Sequence, residues 1–224
     1  YRRQRQMCIR DRYKITKNPD YLKAVEATVR NIIDEEINIA GSGSAFECFY
    51  HGKRLQTDPA YHTMETCVTM TWMKLCQNLL DLTKNPLYAD QIEKTTYNAL
   101  LAALKEDAGQ IAKYSPLEGV RSAGEHQCGM HVNCCNSNGP RAFAMIPTAA
   151  VLSSNDSLFV NLYGPSTTKA SLGKNEISLE QTTAYPEDGD IEIAVNAPRN
   201  LEFAVAVRIP AWSKVSRVAV NGES

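Results

Sequence analysis

Two cysteines stand side by side at Cys134 and Cys135, inside the run GEHQCGMHVNCCNSNGPR from Gly124 to Arg141. Neighbouring side chains diverge on a regular helix or strand. A shared centre therefore needs irregular backbone, which Asn133, Asn136, Asn138 and Gly139 tolerate. A third cysteine follows a carboxylate by two positions, in Glu65-Thr66-Cys67. Those two side chains converge only where a helix begins between them, with Glu65 still outside it. Cys67 would then lie at the positive helix terminus, which favours a thiolate. Three thiols and a carboxylate make a four-ligand set of the kind zinc takes in closed sites. His126, Cys128 and His131 compete as ligands, spacing alone does not choose among them, and the paired spacing of a zinc finger is absent. The plainer alternative for Glu65-Thr66-Cys67 is a first-turn glutamate followed by a buried cysteine.

A third stretch, Ser44-Ala45-Phe46-Glu47-Cys48-Phe49, sets a carboxylate among aromatic residues. Such a carboxyl can keep its proton and act as a general acid; a solvated loop glutamate is the competing reading.

These residues need elements to hold them. Asn18-Pro19-Asp20 predicts a helix start, with Asn18 as cap and Pro19 at the first helical position. Leu22, Val25, Val29, Ile32 and Ile33 then recur at helical spacing. Val68, Trp72, Leu75, Cys76, Leu79 and Leu80 mark one face of a second helix. Asn85-Pro86 stops it and starts another, carrying Tyr88, Ile92, Tyr97, Leu100, Leu101 and Leu104, and Gly139-Pro140 predicts a helix from about Arg141 to Val151. From Leu158 the period changes to two. LFVNLY, EISLEQTTAY, DIEIAVNA, EFAVAVRIP and RVAVNG read as antiparallel strands of a sandwich. The fold class is α+β, with a boundary near Ser153–Asp156.

Composition narrows the function. The 224 residues carry 24 Lys+Arg against 25 Asp+Glu, a net charge of -1, which argues against a nucleic-acid binder with a broad basic face. No apolar run approaches the ~20 residues that span a bilayer, so neither nucleic acid nor membrane is an expected partner. The compartment is open between cytoplasm and periplasm. Seven cysteines, unevenly spread, point to metal or catalytic use over a disulfide framework.

The first twelve residues, YRRQRQMCIRDR, hold five arginines and little apolar periodicity. Met7–Asp11 can be written ATG TGT ATA AGA GAC, the sequence of a transposase library adapter, so residues 1–12 are read as foreign. Residues 13–153 are then expected to be a helical fragment and 154–224 a β-sandwich fragment, cut at both ends. Leu22, Val25, Val29, Trp72, Leu75, Leu79, Leu100 and Leu104 mark faces that expect partners outside this chain, so the chain alone is expected to be insoluble or partly molten, and inactive.

Together SAFECF, HGKRLQ, YHTMETCVT, GEHQCGMHVNCCNSNGPRAF and LFVNLY resemble glycoside hydrolase family 127, the β-L-arabinofuranosidase-type enzymes, across residues 13–224. The resemblance implies an (α/α)6 barrel, here its C-terminal part, followed by a β-sandwich, with Zn²⁺ in the barrel. It implies Glu65, Cys67, Cys134 and Cys135 as zinc ligands, Cys134 as nucleophile and Glu47 as general acid/base. The substrate would be an oligosaccharide or other glycoside, cleaved with retention. Tyr61, His62, His126 and His131 are further candidates for the sugar pocket. The chain departs from the family pattern after the cysteine pair, with Asn136-Ser137-Asn138 where prolines are expected. Two rival functions stand beside this one: a zinc-stabilised carbohydrate-binding protein that cleaves nothing, and a metal-free thiol hydrolase pairing Cys134 with His126 or His131.

Overall fold

A computed structural model of the chain describes residues 2–57, 63–105, 110–121 and 134–223. Five helices come first: α1 (Arg2–Thr16), α2 (Pro19–Glu35), α3 (Thr66–Thr83), α4 (Pro86–Thr95) and α5 (Cys135–Ala150). Six strands follow: β1 (Val151–Ser153), β2 (Ser157–Val160), β3 (Ser166–Leu172), β4 (Asn175–Thr183), β5 (Ile191–Asn196) and β6 (Ala204–Val207). The chain divides into two compact units, Tyr1–Cys76 with Gln91–Met145, and Gln77–Asp90 with Ile146–Ser224.

In the first unit, α2 starts as its sequence dictates. Asn18 accepts a hydrogen bond from Asp20 N at 2.9 Å, satisfying one of the donors that a helix start leaves free. Its apolar stripe buries Val25, Val29 and Ile32. Residues 2–16, including most of the segment read as foreign, are helical, and α1 packs on α2 with Cys8 exposed and Ile9 half-buried. After α4 the helix widens into a π turn over Thr96–Leu100. There the Ala99 N–H donates to Ala40 O at 3.1 Å, and Thr95 Oγ1 donates to Gly41 O at 2.6 Å. Gly41, at φ 85°, sits so close that a Cβ would lie 2.9 Å from Thr95 N. A packed loop, not a helix breaker, sets this irregularity.

Several expectations are corrected here. Val25, Val29, Trp72, Leu75, Leu79 and Leu100 are buried by this chain itself, and of that set Leu104 is the one clearly exposed, at 41%. Helix α5 begins at Cys135, earlier than Arg141, with Gly139 and Pro140 inside it. Gly139 serves close approach there: a Cβ would lie 2.8 Å from Ile111 Cγ1.

In the second unit, β3, β4 and β5 form an antiparallel sheet, and β1, β2 and β6 form another. Their shared core is Leu158, Val160, Leu172, Ile177 and Leu179. The β3–β4 hairpin pairs Leu172 with Asn175 across Gly173, whose φ of 61° suits a tight two-residue turn. Two strand expectations fail. β6 runs parallel to β2, so the set is not wholly antiparallel. RVAVNG is no strand: Val220 makes only an isolated bridge to Glu223, and Val218 and Val220 stay exposed. Alternation marks a half-buried surface, and without a neighbouring strand it forms no ladder. The same pattern missed β3, whose Ser-Thr-Thr-Lys sequence is polar on both faces. Just past β6, the Arg208 guanidinium donates to Asp90 Oδ1 at 2.6 Å, donates to Asn161 O, and lies 5.5 Å from the Tyr163 ring. Its side chain is 1% exposed.

Candidate functional site

Helix α3 begins at Thr66, so Glu65 stands just outside it and Cys67 just inside. The Glu65 carbonyl already accepts from Thr69 N at 2.9 Å, the first bond of the helix, which makes Glu65 the cap residue. Neighbouring backbone clamps this start. Glu65 N donates to Ser44 O, Thr66 N donates to Lys113 O, and Thr66 Oγ1 donates to Ala112 O at 2.7 Å. The cysteine pair uses the same device. Cys134 precedes α5 and Cys135 is its first residue. The Cys134 carbonyl accepts from Ser137 N and Asn138 N. Two helix starts, each splitting a ligand pair between inside and outside, turn four side chains to one point.

That point is compact. The ligand atoms of Glu65, Cys67, Cys134 and Cys135 all lie within 4.8 Å of one another. Glu65, Cys67 and Cys135 are buried and Cys134 is half-buried. Cys67 Sγ lies 2.7 Å from Cys134 Sγ and 3.3 Å from Cys135 Sγ. None of the three is in a disulfide, and these separations exceed the ~2.05 Å of one. They fall short of the ~3.5–4 Å expected of sulfurs sharing a tetrahedral zinc ion, so the sulfurs must spread by about an ångström to hold one. The donor set fits zinc nonetheless. It offers three thiols and a carboxylate, and Glu65 Oε1 is buried without a hydrogen-bond partner among the described residues.

Without a metal, the surroundings of Cys67 oppose the thiolate that its helix position favours. Its pKa is pushed well up, first by the hydrogen bond with Cys135 and then by burial. The opposing contributions are smaller: the contact with Cys134 and a hydrogen bond from Asn138 Nδ2, 3.1 Å away. Crowded thiols in a dry site outweigh the helix terminus.

Glu47 reaches the cluster from the loop before α3. Its Oε1 lies 3.8 Å from Cys134 Sγ. The carboxyl is exposed, not enclosed by aromatic rings as its sequence neighbours suggested. Phe46 lies 6.3 Å, centroid to centroid, from both Tyr50 and Tyr114. Phe46 and Glu47 have φ of 55° and 54°, and Cys48 N donates to Ala45 O at 3.1 Å. This is the pattern of a turn with two left-handed central residues, usually filled by Asn-Gly. Neither residue suits it, at a cost of about 1–2 kcal/mol each. The Ser44 hydroxyl bridges the loop by donating to Tyr50 O and accepting from Tyr50 N.

The structure thus brings together Glu47, Glu65, Cys67, Cys134 and Cys135. Tyr61, His62, His126, Cys128 and His131 lie outside the described residues. The sequence reading overlooked two contacts. Asn138 donates to Cys67, and Asn136 Oδ1 accepts from Ile111 N at 3.3 Å. Both asparagines stand where family prolines were expected, and a proline side chain could make neither bond.

The helical unit that carries the cluster and the β unit that follows match two consecutive domains of one glycoside hydrolase family. The β-L-arabinofuranosidase GH127 catalytic domain matches residues 3–148, and the GH127 middle domain matches residues 157–224. The chain belongs to glycoside hydrolase family 127. The match begins inside the segment read as foreign. A non-reducing end β-L-arabinofuranosidase of Bifidobacterium longum subsp. longum is 26% identical over 211 residues, 87% of this chain and 32% of the relative. A GH127 β-L-arabinofuranosidase from Geobacillus stearothermophilus T6 shares the fold, with a TM-score of 0.81 at 24% identity, over 97% of this chain and 36% of that one. A GH127 β-arabinofuranosidase superposes with a TM-score of 0.76 at 29% identity, over 91% and 32%. The chain thus spans about a third of the length of these relatives.

Proposed function

We propose that the protein is a retaining glycoside hydrolase acting on β-L-arabinofuranosides, with Cys134 as nucleophile and Glu47 as general acid/base. In this reading the first unit is the C-terminal part of an (α/α)6 barrel and the second is part of a β-sandwich. Glu65, Cys67, Cys134 and Cys135 hold Zn²⁺, and Tyr61, His62, His126 and His131 line the sugar pocket. The observation that carries the reading is the 3.8 Å approach of Glu47 Oε1 to Cys134 Sγ, at the edge of the thiol cluster.

Retaining glycosidases set their two carboxyl groups ~5–5.5 Å apart, and inverting ones ~6.5–9.5 Å apart. The short Glu47–Cys134 distance belongs with the first class and leaves no room for an intervening water. Glu47 is exposed, so its carboxyl can withdraw by the ångström or two that a sugar needs. A neutral thiol is a poor nucleophile. Zinc, when bound, removes the thiol protons and fixes the sulfur directions. Cys134 Sγ attacks the anomeric carbon as the glycosidic C–O bond breaks, and Glu47 gives its proton to the departing oxygen. Glu47, now a base, takes a proton from water; the water oxygen displaces the Cys134 sulfur and regenerates both groups. Two inversions leave the anomeric configuration retained.

The test is metal content by atomic spectroscopy, with hydrolysis of a β-L-arabinofuranosyl disaccharide followed by NMR to read the product anomer. Stoichiometric zinc, a retained anomer, and loss of turnover in Cys134→Ser are expected. Zinc binding with no hydrolysis would leave a carbohydrate-binding protein. Full activity after metal removal would leave a metal-free thiol hydrolase.

A further inference from the structure

The Ala45–Cys48 turn places an acid/base candidate on two consecutive left-handed residues, neither of them glycine or asparagine. Something outside the turn must hold it. Glu65 does so: the Glu47 N–H donates to Glu65 Oε2 at 2.9 Å. Glu65 is 1% exposed, its backbone is fixed at the cap of α3, and its carboxylate belongs to the thiol cluster. We infer that Glu65 is a positioning residue for Glu47, tethering the acid/base turn to the ligand cluster through one carboxylate oxygen and leaving the other, Oε1, for the metal. This rests on the proposed role of Glu47.

The two oxygens make the two tasks separable. Oε2 is engaged by the turn, and Oε1 has no hydrogen-bond partner among the described residues. A carboxylate can serve both at once. A glutamine keeps one acceptor oxygen for the turn but replaces the second, charged oxygen with an NH₂ donor, which is no ligand for a cation. An aspartate is one methylene shorter and withdraws the acceptor from the Glu47 N–H. A leucine keeps the bulk and offers no acceptor.

The measurement is amide hydrogen exchange of Glu47, read by NMR or on peptides covering residues 44–50, with the α2 amides of residues 25–32 as an internal control. Zinc content is measured separately. In Glu65→Leu the Glu47 amide is expected to exchange at least tenfold faster while α2 is unchanged. In Glu65→Gln it should stay near the wild-type rate while zinc affinity falls. Should the leucine variant fail to fold, Glu65→Asp replaces it, with the same loss expected and glutamine again the rescue. Equal Glu47 exchange in wild type, glutamine, and aspartate or leucine proteins would overturn the tether. Wild-type protein that binds no zinc would overturn the metal reading instead, and the amide comparison would stand.

Discussion

Asn138 Nδ2 lies 3.1 Å from Cys67 Sγ, so the first turn of α5 donates a hydrogen bond to a sulfur at the start of α3. Arg141 in turn donates to Asn138 Oδ1 at 3.1 Å, which fixes the amide so that its nitrogen faces the sulfur. Donors of this kind stabilise negative charge on sulfur and aim the ligand. We predict that Asn138→Asp weakens zinc binding by about 10- to 100-fold, because an acceptor replaces the donor and faces the thiolates. Competition with a chromophoric chelator measures it. Unchanged affinity would remove Asn138 from the site.

Cys134→Ser should lower turnover by at least ~10³-fold, since an alkoxide is far harder to form than a thiolate. Glu47→Gln should slow substrates with poor leaving groups more than activated aryl glycosides, which need little protonation. Equal losses on both substrate types would count against Glu47 as the acid.

Gly139→Ala tests the packing that sets the site. Alanine gains about 1 kcal/mol of helix propensity. Its Cβ would meet Ile111 Cγ1, Cδ1 and Cγ2 at 2.8–3.0 Å in a buried cluster with Cys67 and Cys135. Overpacking of this kind costs ~1–3 kcal/mol. The clash should win, lowering Tm by a few degrees, and Ile111→Val should recover part of it. A rise in Tm in the single variant would show that α5 can shift freely.

Stability should fall as the pH rises into the thiol range. Burial pushes Cys76 well up, and Cys67 is raised by Cys135 and burial. A raised folded pKa means that the unfolded chain gives up its protons first. The stabilising difference is therefore complete below the ordinary thiol value of ~8.5 and is lost above it, by up to ~1.4 kcal/mol per pH unit for each such group. Denaturant melts of metal-free protein between pH 7 and 10 read this slope. Cys76→Val should reduce it, and a flat profile would contradict the burial of these thiols.

Asp90→Asn leaves the Arg208 guanidinium buried without its counter-charge. The loss should reach ~3–5 kcal/mol, seen as a lowered midpoint of the second unit in thermal melts. A loss below 1 kcal/mol would mean that Asn161 O and the Tyr163 ring suffice to hold Arg208.

The helical half was largely legible because its signals are local. Asn18-Pro19 and Asn85-Pro86 each cap the helix they predict; Asn85 Oδ1 accepts from Leu87 N at 3.0 Å. The demand that a helix start between Glu65 and Cys67 was a geometric necessity, and α3 starts at Thr66. The π turn at Thr96–Leu100 was not legible, because a loop far away in sequence creates it through Ala40 and Gly41. Asn136 and Asn138 were read as flexible backbone; their side chains hold Ile111 and Cys67 across the site. Gly139-Pro140 carries the local signature of a helix start, whereas its place inside α5 is set by close packing on Ile111, which is distant in sequence. In the β half, alternation found β2, β4, β5 and β6 but carried no information about partners or direction.

The parallel alliance of β2 with β6 sets an order of assembly. Pairing Ser157–Val160 with Ala204–Val207 closes a loop that holds the whole β3–β4–β5 meander, and folding of the meander shortens that loop. Closing that long loop is an entropic toll, while the hairpins between β3, β4 and β5 close locally and quickly. We therefore expect β6 to be the last strand to dock, with Arg208, one residue beyond it, closing onto Asp90 at that step. Until that moment the edge of β2 is a bare template, and a nascent chain is most vulnerable to pairing with its neighbours there.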